Sequence, residues 1–160
     1  MINIKIQRAK AENIDGILFL LGQVLAVHHE GRPDLFRKNG SKYSRPELEK
    51  MVLDDENPIF VALDDAGNVV GYAFCNIHRY KNHGAFNDFD SLYIDDICVD
   101  EQARGNKVGT RIFEFVKNFA KREGFYNITL NVWAENPTAL RFYEACGMKE
   151  QKRGREFILQ

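Results

Sequence analysis

The sequence predicts a mixed α/β protein built on one central mixed sheet with helices on both faces. Two observations carry this prediction: an apolar, strand-like hairpin precedes a buried strand, Ser91 to Val99, and a strand–helix–strand unit includes and follows it. An antiparallel meander joined to a parallel strand pair accounts for that order. The 160 residues, 44% of them hydrophobic, suffice for one core, so we expect a single domain over residues 1–160.

The first half of the chain predicts three strands and two helices. Ile2, Ile4 and Ile6 alternate with polar residues, as in a strand with one buried face. Ser44 and Glu47 have the spacing of a capping box at a helix start. The predicted elements are a strand over 2–7, a helix over 11–27 ended by the Gly and Pro of 28–34, a short helix over 44–54, and a hairpin of strands over 59–63 and 69–77.

The second half predicts a parallel pair and a short C-terminal hairpin. Gly124 and Gly147 each follow an amphipathic helical stretch, and Asn136-Pro137 has the residue types of a helix N-terminus. The predicted elements are a strand over 91–99, a helix over 108–123, a strand over 126–133, a helix from 137 to about 146, and strands around 148–151 and 156–159. The sheet would then have six to seven strands.

Composition excludes several classes of function. The formal net charge of −1 gives no general attraction to nucleic acid or to an anionic membrane, and no apolar run is long enough to span a bilayer. Three widely spaced cysteines among apolar neighbours suit a reducing cytoplasm as small buried hydrophobes. The four histidines show no metal-ligand spacing, so we expect no metal site.

The loop after the buried strand has the features of a phosphate-binding site. Gly105 and Gly109 allow close backbone approach, and the helix that follows directs its free N–H groups and positive dipole end at the loop. A strand-to-helix turn with solvated charges is the alternative, since short glycine motifs are common. The polar and charged side chains that would assist a phosphate are those of Arg104, Lys107, Thr110 and Arg111.

A second stretch, Trp133 to Tyr143, carries a candidate proton donor. Helical spacing places Asn136, Ala139 and Tyr143 along one side of a short helix, and the small Ala139 lets a ligand approach. Tyr143 could donate a proton, or it could be an amphipathic tyrosine of the core.

Taken together, these motifs resemble the GCN5-related N-acetyltransferase family. The likeness rests on Tyr93-Ile94-Asp95-Asp96-Ile97-Cys98-Val99, on Arg104-Gly105-Asn106-Lys107-Val108-Gly109-Thr110, and on Asn136-x-x-Ala139-x-x-Phe142-Tyr143 followed by Gly147. It is strongest from Tyr93 to Met148 and extends to the order of elements over nearly the whole chain.

The resemblance implies a splayed pair of parallel strands with acetyl-CoA, as co-substrate, in the gap between them. Backbone groups over Ile97, Cys98 and Val99 would pair with the pantetheine arm, and Tyr143 would lie near the thioester sulfur. The pyrophosphate would be held by the loop of Arg104, Gly105, Asn106, Lys107, Val108, Gly109 and Thr110, and the cofactor arm by Asn136 beside Ala139.

One residue departs from the family signature. Lys107 stands where the pattern has its middle glycine, between Arg104 and Gly109. The lysine could obstruct the phosphate or add charge beside it, and we expect tolerated binding with a changed loop conformation. A left-handed Lys107 would carry strain of order 1 kcal/mol or more.

The resemblance also implies a direct transfer to an amine, which needs a base because alkyl amines are protonated at pH 7. Asp95 is the first candidate, by likeness to polyamine-type members of the family, and Asp96 the second. Strand alternation places the two on opposite faces, so only one would face the acceptor. The alternative is that one acid binds a cationic substrate or a loop and neither is a base.

The acceptor is not specified beyond a primary amine of a small molecule or peptide. By resemblance, the segments His28 to Phe36 and Lys81 to Asp90 would line its cleft. A non-catalytic acyl-CoA sensor is the competing function, favoured by Lys107, and the late strands could pair with a second copy of the chain. A dinucleotide-binding domain is disfavoured by the glycine spacing, and a nucleic-acid binder by the net charge.

Overall fold

A five-stranded mixed sheet forms the centre of the protein in a computed structural model that describes residues 2–160. The strands lie in chain order across the sheet, with β1 to β4 antiparallel and β4–β5 parallel. This arrangement confirms the predicted mixed α/β class. The strands are β1 (Lys5–Arg8), β2 (Ile59–Leu63), β3 (Val69–Tyr80), β4 (Phe89–Val99) and β5 (Asn127–Leu130).

Helices cover both faces of the sheet. Successive residues of β3 point to opposite sides, so Tyr72 and Phe74 belong to the core under the first two helices, and Ala73 and Cys75 to the core under the third. No helix within residues 2–160 is long and apolar enough to cross a membrane. The helices are α1 (Ile14–Gly31), α2 (Arg45–Met51), α3 (Val108–Arg122) and α4 (Pro137–Ala145).

The bounds of α1 and α2 show which local signals determine helix ends. α1 continues through His28 and ends at Gly31, with Arg32 as its C-cap, because the residue before Pro33 is sterically biased away from helical backbone angles. α2 begins after Ser44, whose Oγ accepts a hydrogen bond from Glu47 N at 3.3 Å, so the predicted capping box is confirmed.

The C-terminal strands of the prediction are not formed within residues 2–160. Residues 149–160 are exposed, with Phe157 at 87% and Leu159 at 91% exposure, and β5 ends at Leu130 rather than at Trp133. Apolar residues that alternate favour an extended backbone, but a strand also needs a neighbouring strand to pair with. The edge strand β5 has only four residues and so offers a short edge for pairing. The sheet therefore has five strands instead of six or seven.

Candidate functional site

A β-bulge at Asp95 brings both acidic residues of β4 to one side of the sheet. On β3, Cys75 pairs with Ile94 and its neighbour Phe74 pairs with Asp96, which leaves Asp95 as an extra residue among the described strand pairs. The Asp95 and Asp96 carboxylates both contact residues on the α1–α2 side. The expectation that they face opposite ways is wrong, because strict alternation holds only in a regular strand.

The Asp95 carboxylate is paired with an ammonium group from the loop between α1 and α2. Lys42 Nζ donates to Asp95 Oδ2 at 2.6 Å, and the hydroxyl of Tyr43 lies 3.4 Å from the same oxygen. Burial lowers the pKa of Lys42, but the hydrogen bond and charge of Asp95 outweigh it and the pKa is raised overall. Asp95 is therefore placed to hold a cationic group.

The Asp96 carboxylate is half-buried beside a buried tyrosine. Tyr72 donates its hydroxyl hydrogen bond to Asp96 Oδ2 at 2.7 Å. Removal from water raises the pKa of Asp96 to about 6, although the Tyr72 hydrogen bond and the Lys42 charge oppose that rise. A carboxyl with this pKa is mostly ionised at pH 7 and still accepts a proton more readily than an ordinary aspartate does.

A gap opens along β4 directly after the bulge. The β4–β5 pairing runs from Ser91–Asn127 to Ile94–Leu130 and stops there, because β5 ends. Over residues 96–99, β4 pairs with β3 but with no other described strand on the β5 side. Cys98 packs into the α1–α2 core, where burial raises its thiol pKa to about 12, so only its backbone is available to the gap. An extended ligand could pair with this free edge as an added strand does.

The gap leads to the loop before α3, which is held in an unusual backbone conformation. Gly105 has φ +82°, and Lys107, at the N-cap of α3, has φ +58° and ψ +24°. Lys107 thus adopts the left-handed conformation whose strain was considered from the sequence. Asn106 Nδ2 donates to Ala103 O at 3.1 Å, which fixes the loop, whereas the guanidinium of Arg111 donates to Ile4 O at 3.0 Å and is anchored to the chain before β1.

The remaining residues of the loop divide into core and surface. Val108 is buried and Arg104 and Thr110 are exposed. A Cβ at Gly109 would lie 3.3 Å from the Phe142 ring and 3.5 Å from Val99, so α4 packs tightly against this position.

α4 presents two of the predicted residues beside the gap. Asn136 Oδ1 accepts from Ala139 N at 3.2 Å, which confirms its role as helix cap and leaves its Nδ2 hydrogens for a ligand. Tyr143 is half-buried, with its ring 5.1 Å from that of Phe142. Burial and the charge of Asp96 raise the pKa of Tyr143, so the phenol keeps its proton at neutral pH.

One of the two predicted acceptor segments lies at the site. A shallow cleft is lined by Val27, His28, Gly31, Arg32, Phe36, Trp133, Glu135 and Asn136. Phe89, at the end of the second segment, packs on Tyr80 and Tyr126 at the start of β4, six residues and about 20 Å from the bulge. The 81–90 segment therefore does not line this cleft.

Sequence reasoning missed three side chains of the acidic cluster. Tyr72 has the pattern of a core strand residue, and Lys42 and Tyr43 lie in an irregular loop with mixed charge, so no motif distinguishes them. Within residues 2–160, no three His, Cys, Asp or Glu side chains cluster as a metal site would require.

Comparison with known sequences identifies the family. Residues 25–148 match the acetyltransferase (GNAT) family, which is more than half of the chain, and the chain therefore belongs to that family of acyltransferases. A glucosamine 6-phosphate N-acetyltransferase of Arabidopsis thaliana is 36% identical over 59 residues, 37% of this chain and 38% of that protein. An uncharacterized N-acetyltransferase of Methanocaldococcus jannaschii is 27% identical over 119 residues, 74% of this chain and 51% of its own length. The chain thus matches about two fifths and one half of these two relatives.

Solved structures share the fold over nearly the whole chain. A mutant of the BH1408 protein from Bacillus halodurans has a TM-score of 0.92 and 27% identity, covering 98% of this chain and 99% of that one. An aminoglycoside N-acetyltransferase in complex with CoA has a TM-score of 0.71 and 15% identity, with 99% and 95% covered. The second likeness concerns the fold alone.

Proposed function

We propose that the protein is an acetyl-CoA-dependent N-acetyltransferase that moves an acetyl group directly to a primary amine in a ternary complex. The observation that carries the proposal is the open backbone edge of β4 from Asp95 to Val99, which runs from the acidic pair to the amide-rich start of α3. An extended thioester with a diphosphate at its far end has the shape and the hydrogen-bonding groups for that path.

The chain's own residues fit this co-substrate. Backbone groups of Ile97 and Val99 would pair with the pantetheine amides. The side chain of Cys98, which lies between them, packs in the core under α1 and α2. The loop from Arg104 to Thr110 would bind the pyrophosphate, since the free N–H groups and dipole of α3 favour an anion there. Asn136 would hold the arm through Nδ2, with Ala139 leaving room for it.

Asp96 is proposed as the general base, ahead of Asp95. Its pKa of about 6, against 3.8 for an ordinary aspartate, makes proton acceptance from an ammonium about 3 kcal/mol less unfavourable. Asp95 is instead paired with the Lys42 ammonium, as it would be with a cationic acceptor. The pair divides into a carboxylate that holds the cation and one that takes its proton, directly or through water.

Two donors complete the reaction. A backbone N–H near Ile97 would stabilise the oxyanion of the tetrahedral species, and the Tyr143 hydroxyl would give its proton to the departing thiolate. The place of Tyr143 on α4 beside the gap supports this role, and the phenol holds its proton at neutral pH as its raised pKa requires.

The acceptor is proposed to be a small molecule or peptide with a primary amine. The two adjacent carboxylates of Asp95 and Asp96, the first of which already holds an ammonium group, favour a small cationic acceptor. The protein is further proposed to act in the cytoplasm, without nucleic acid or membrane partners. The exposed apolar residues of the 149–160 tail support pairing with a second copy, which sedimentation analysis of the full chain and of a chain ending at residue 148 would test.

Calorimetric titration with acetyl-CoA, followed by thiol release against a panel of small amines, peptides and aminoglycosides, tests the proposal. The expected result is binding at one site and release with at least one amine. Binding without release would favour the acyl-CoA sensor. Absence of binding in both the wild type and Lys107→Gly would refute the assignment of the loop.

A further inference from the structure

The loop between α1 and α2 places a lysine of the chain itself in the acidic cluster. Lys42 Nζ lies 2.6 Å from Asp95 Oδ2, and the side chain of Lys42 remains 53% exposed. Asp96 is close enough for its charge to act on Lys42 as well. A primary ammonium thus occupies the position that the proposed reaction assigns to the acceptor amine.

Neighbouring contacts hold this lysine in place. The Tyr43 ring stacks on Phe74 at 5.4 Å between centroids, and Ser41 Oγ donates to the carbonyl oxygen of Tyr43 at 2.8 Å. Ser44 caps α2 two residues after Lys42. The loop is therefore fixed on both sides of Lys42. Because the Lys42 amine is tethered near the bulge, its effective concentration there is higher than that of a free amine that must diffuse in.

We propose that Lys42 is an internal acceptor, so that the protein acetylates its own Lys42 from acetyl-CoA. This inference rests on the proposed function. Asp96 takes one proton from the Lys42 ammonium, the nitrogen forms a bond to the acetyl carbon, and the carbon–sulfur bond of the resulting tetrahedral species then breaks. The thiolate leaves with the proton of Tyr143, the Tyr143 phenolate takes up the second nitrogen proton through water, and Asp96 releases its proton to solvent. The products are N-acetyl-Lys42 and CoA, with no oxidant or reductant needed.

Acetylation would alter the site that performs it. The amide of acetyl-Lys42 is neutral, so the ion pair with Asp95 is lost and that carboxylate becomes free for a cationic acceptor. Lys42 would then be a modification site whose state changes affinity for amines.

The test is mass spectrometry of the full chain incubated with acetyl-CoA at pH 7.5, with peptides mapped over time. Lys38, which is exposed on the same loop, reports uncatalysed acetylation within the same sample. We expect Lys42 to react about tenfold or more faster than Lys38. The reaction should be first order at every protein concentration, unchanged in Lys38→Arg and strongly reduced in Asp96→Asn. Acetyl-CoA binding is measured on the same preparations by calorimetry.

Several outcomes would overturn the proposal. If acetyl-CoA binds but Lys42 reacts no faster than Lys38, the internal acceptor is refuted while the proposed function stands. If a ¹⁵N-labelled Asp96→Asn chain acquires acetyl-Lys42 from unlabelled wild type at the wild-type rate, transfer occurs between chains. If acetyl-CoA does not bind, the proposed function and the internal acceptor fail together.

Discussion

Replacing Lys107 with glycine should stabilise the protein, because Lys107 occupies a conformation that side chains disfavour. Its φ of +58° and ψ of +24° lie in the left-handed region, and its side chain is exposed, so little packing is lost. Holding an L-residue in this region costs about 1–2 kcal/mol of stability. Glycine avoids that cost but loses about 0.5–1 kcal/mol more than other residues in backbone entropy on folding. The net gain is about 0.5–1 kcal/mol, or a rise in Tm of about 1–4 °C for a chain of this length.

Urea and thermal unfolding followed by circular dichroism would measure this gain. Arg104→Gly is the matched control: Arg104 is an exposed cation of the same loop, but its φ of −61° and ψ of 153° suit any residue. That control should lose about 0.5–1 kcal/mol through backbone entropy alone. The reasoning is refuted if Lys107→Gly is destabilised as much as Arg104→Gly.

Four further predictions concern the base, the pH dependence of stability, the acid and the sheet. Asp96→Asn should lower kcat/KM for the best amine by about 10²–10⁴-fold and abolish a rise in rate through pH about 6; retention of that rise would contradict its role as base. Because the folded pKa of Asp96 lies above 3.8, the folded chain binds more protons than the unfolded chain between pH 4 and 6. The unfolding free energy of the wild type should therefore fall by about 3 kcal/mol as pH rises from 4 to 6, relative to Asp96→Asn in urea titrations. Tyr143→Phe should reduce kcat at saturating substrates by about 10²-fold or more with unchanged calorimetric affinity for acetyl-CoA, and wild-type turnover would exclude it as the acid. Gly71→Ala should cost about 1–3 kcal/mol, measured by thermal unfolding, since the new Cβ would lie 2.7 Å from Ile112 Cδ1 and 3.0 Å from Cys98 O; an unchanged Tm would show that the sheet relaxes there.

Local signals predicted most of the fold because each element carries its own. The capping box at Ser44, the N-cap at Asn136 and the apolar run of β3 are set by neighbouring residues, and all are present. The C-terminal strands failed because strand formation depends on a distant edge, which a local pattern does not describe.

The candidate site was predictable where it follows the backbone and not where it depends on packing. The left-handed Lys107 could be anticipated from the glycine that the family pattern has in its place. The bulge at Asp95 could not, since it depends on how β3 and β4 pair over their whole length. Lys42 and Tyr72 were missed because their roles arise from contacts across 53 and 24 residues of sequence.

Asp95, the extra residue of the bulge, has no pairing partner on β3. Ile94 and Asp96 already face opposite cores through adjacent partners on β3, so removing Asp95 would leave every later side chain of β4 on its present face. The pairing of β4 with β3 therefore does not depend on this position. Deleting one residue of the Asp95-Asp96 pair would yield a regular strand with a single acid. Loss of one codon would then remove an acid from the site while the fold remained intact.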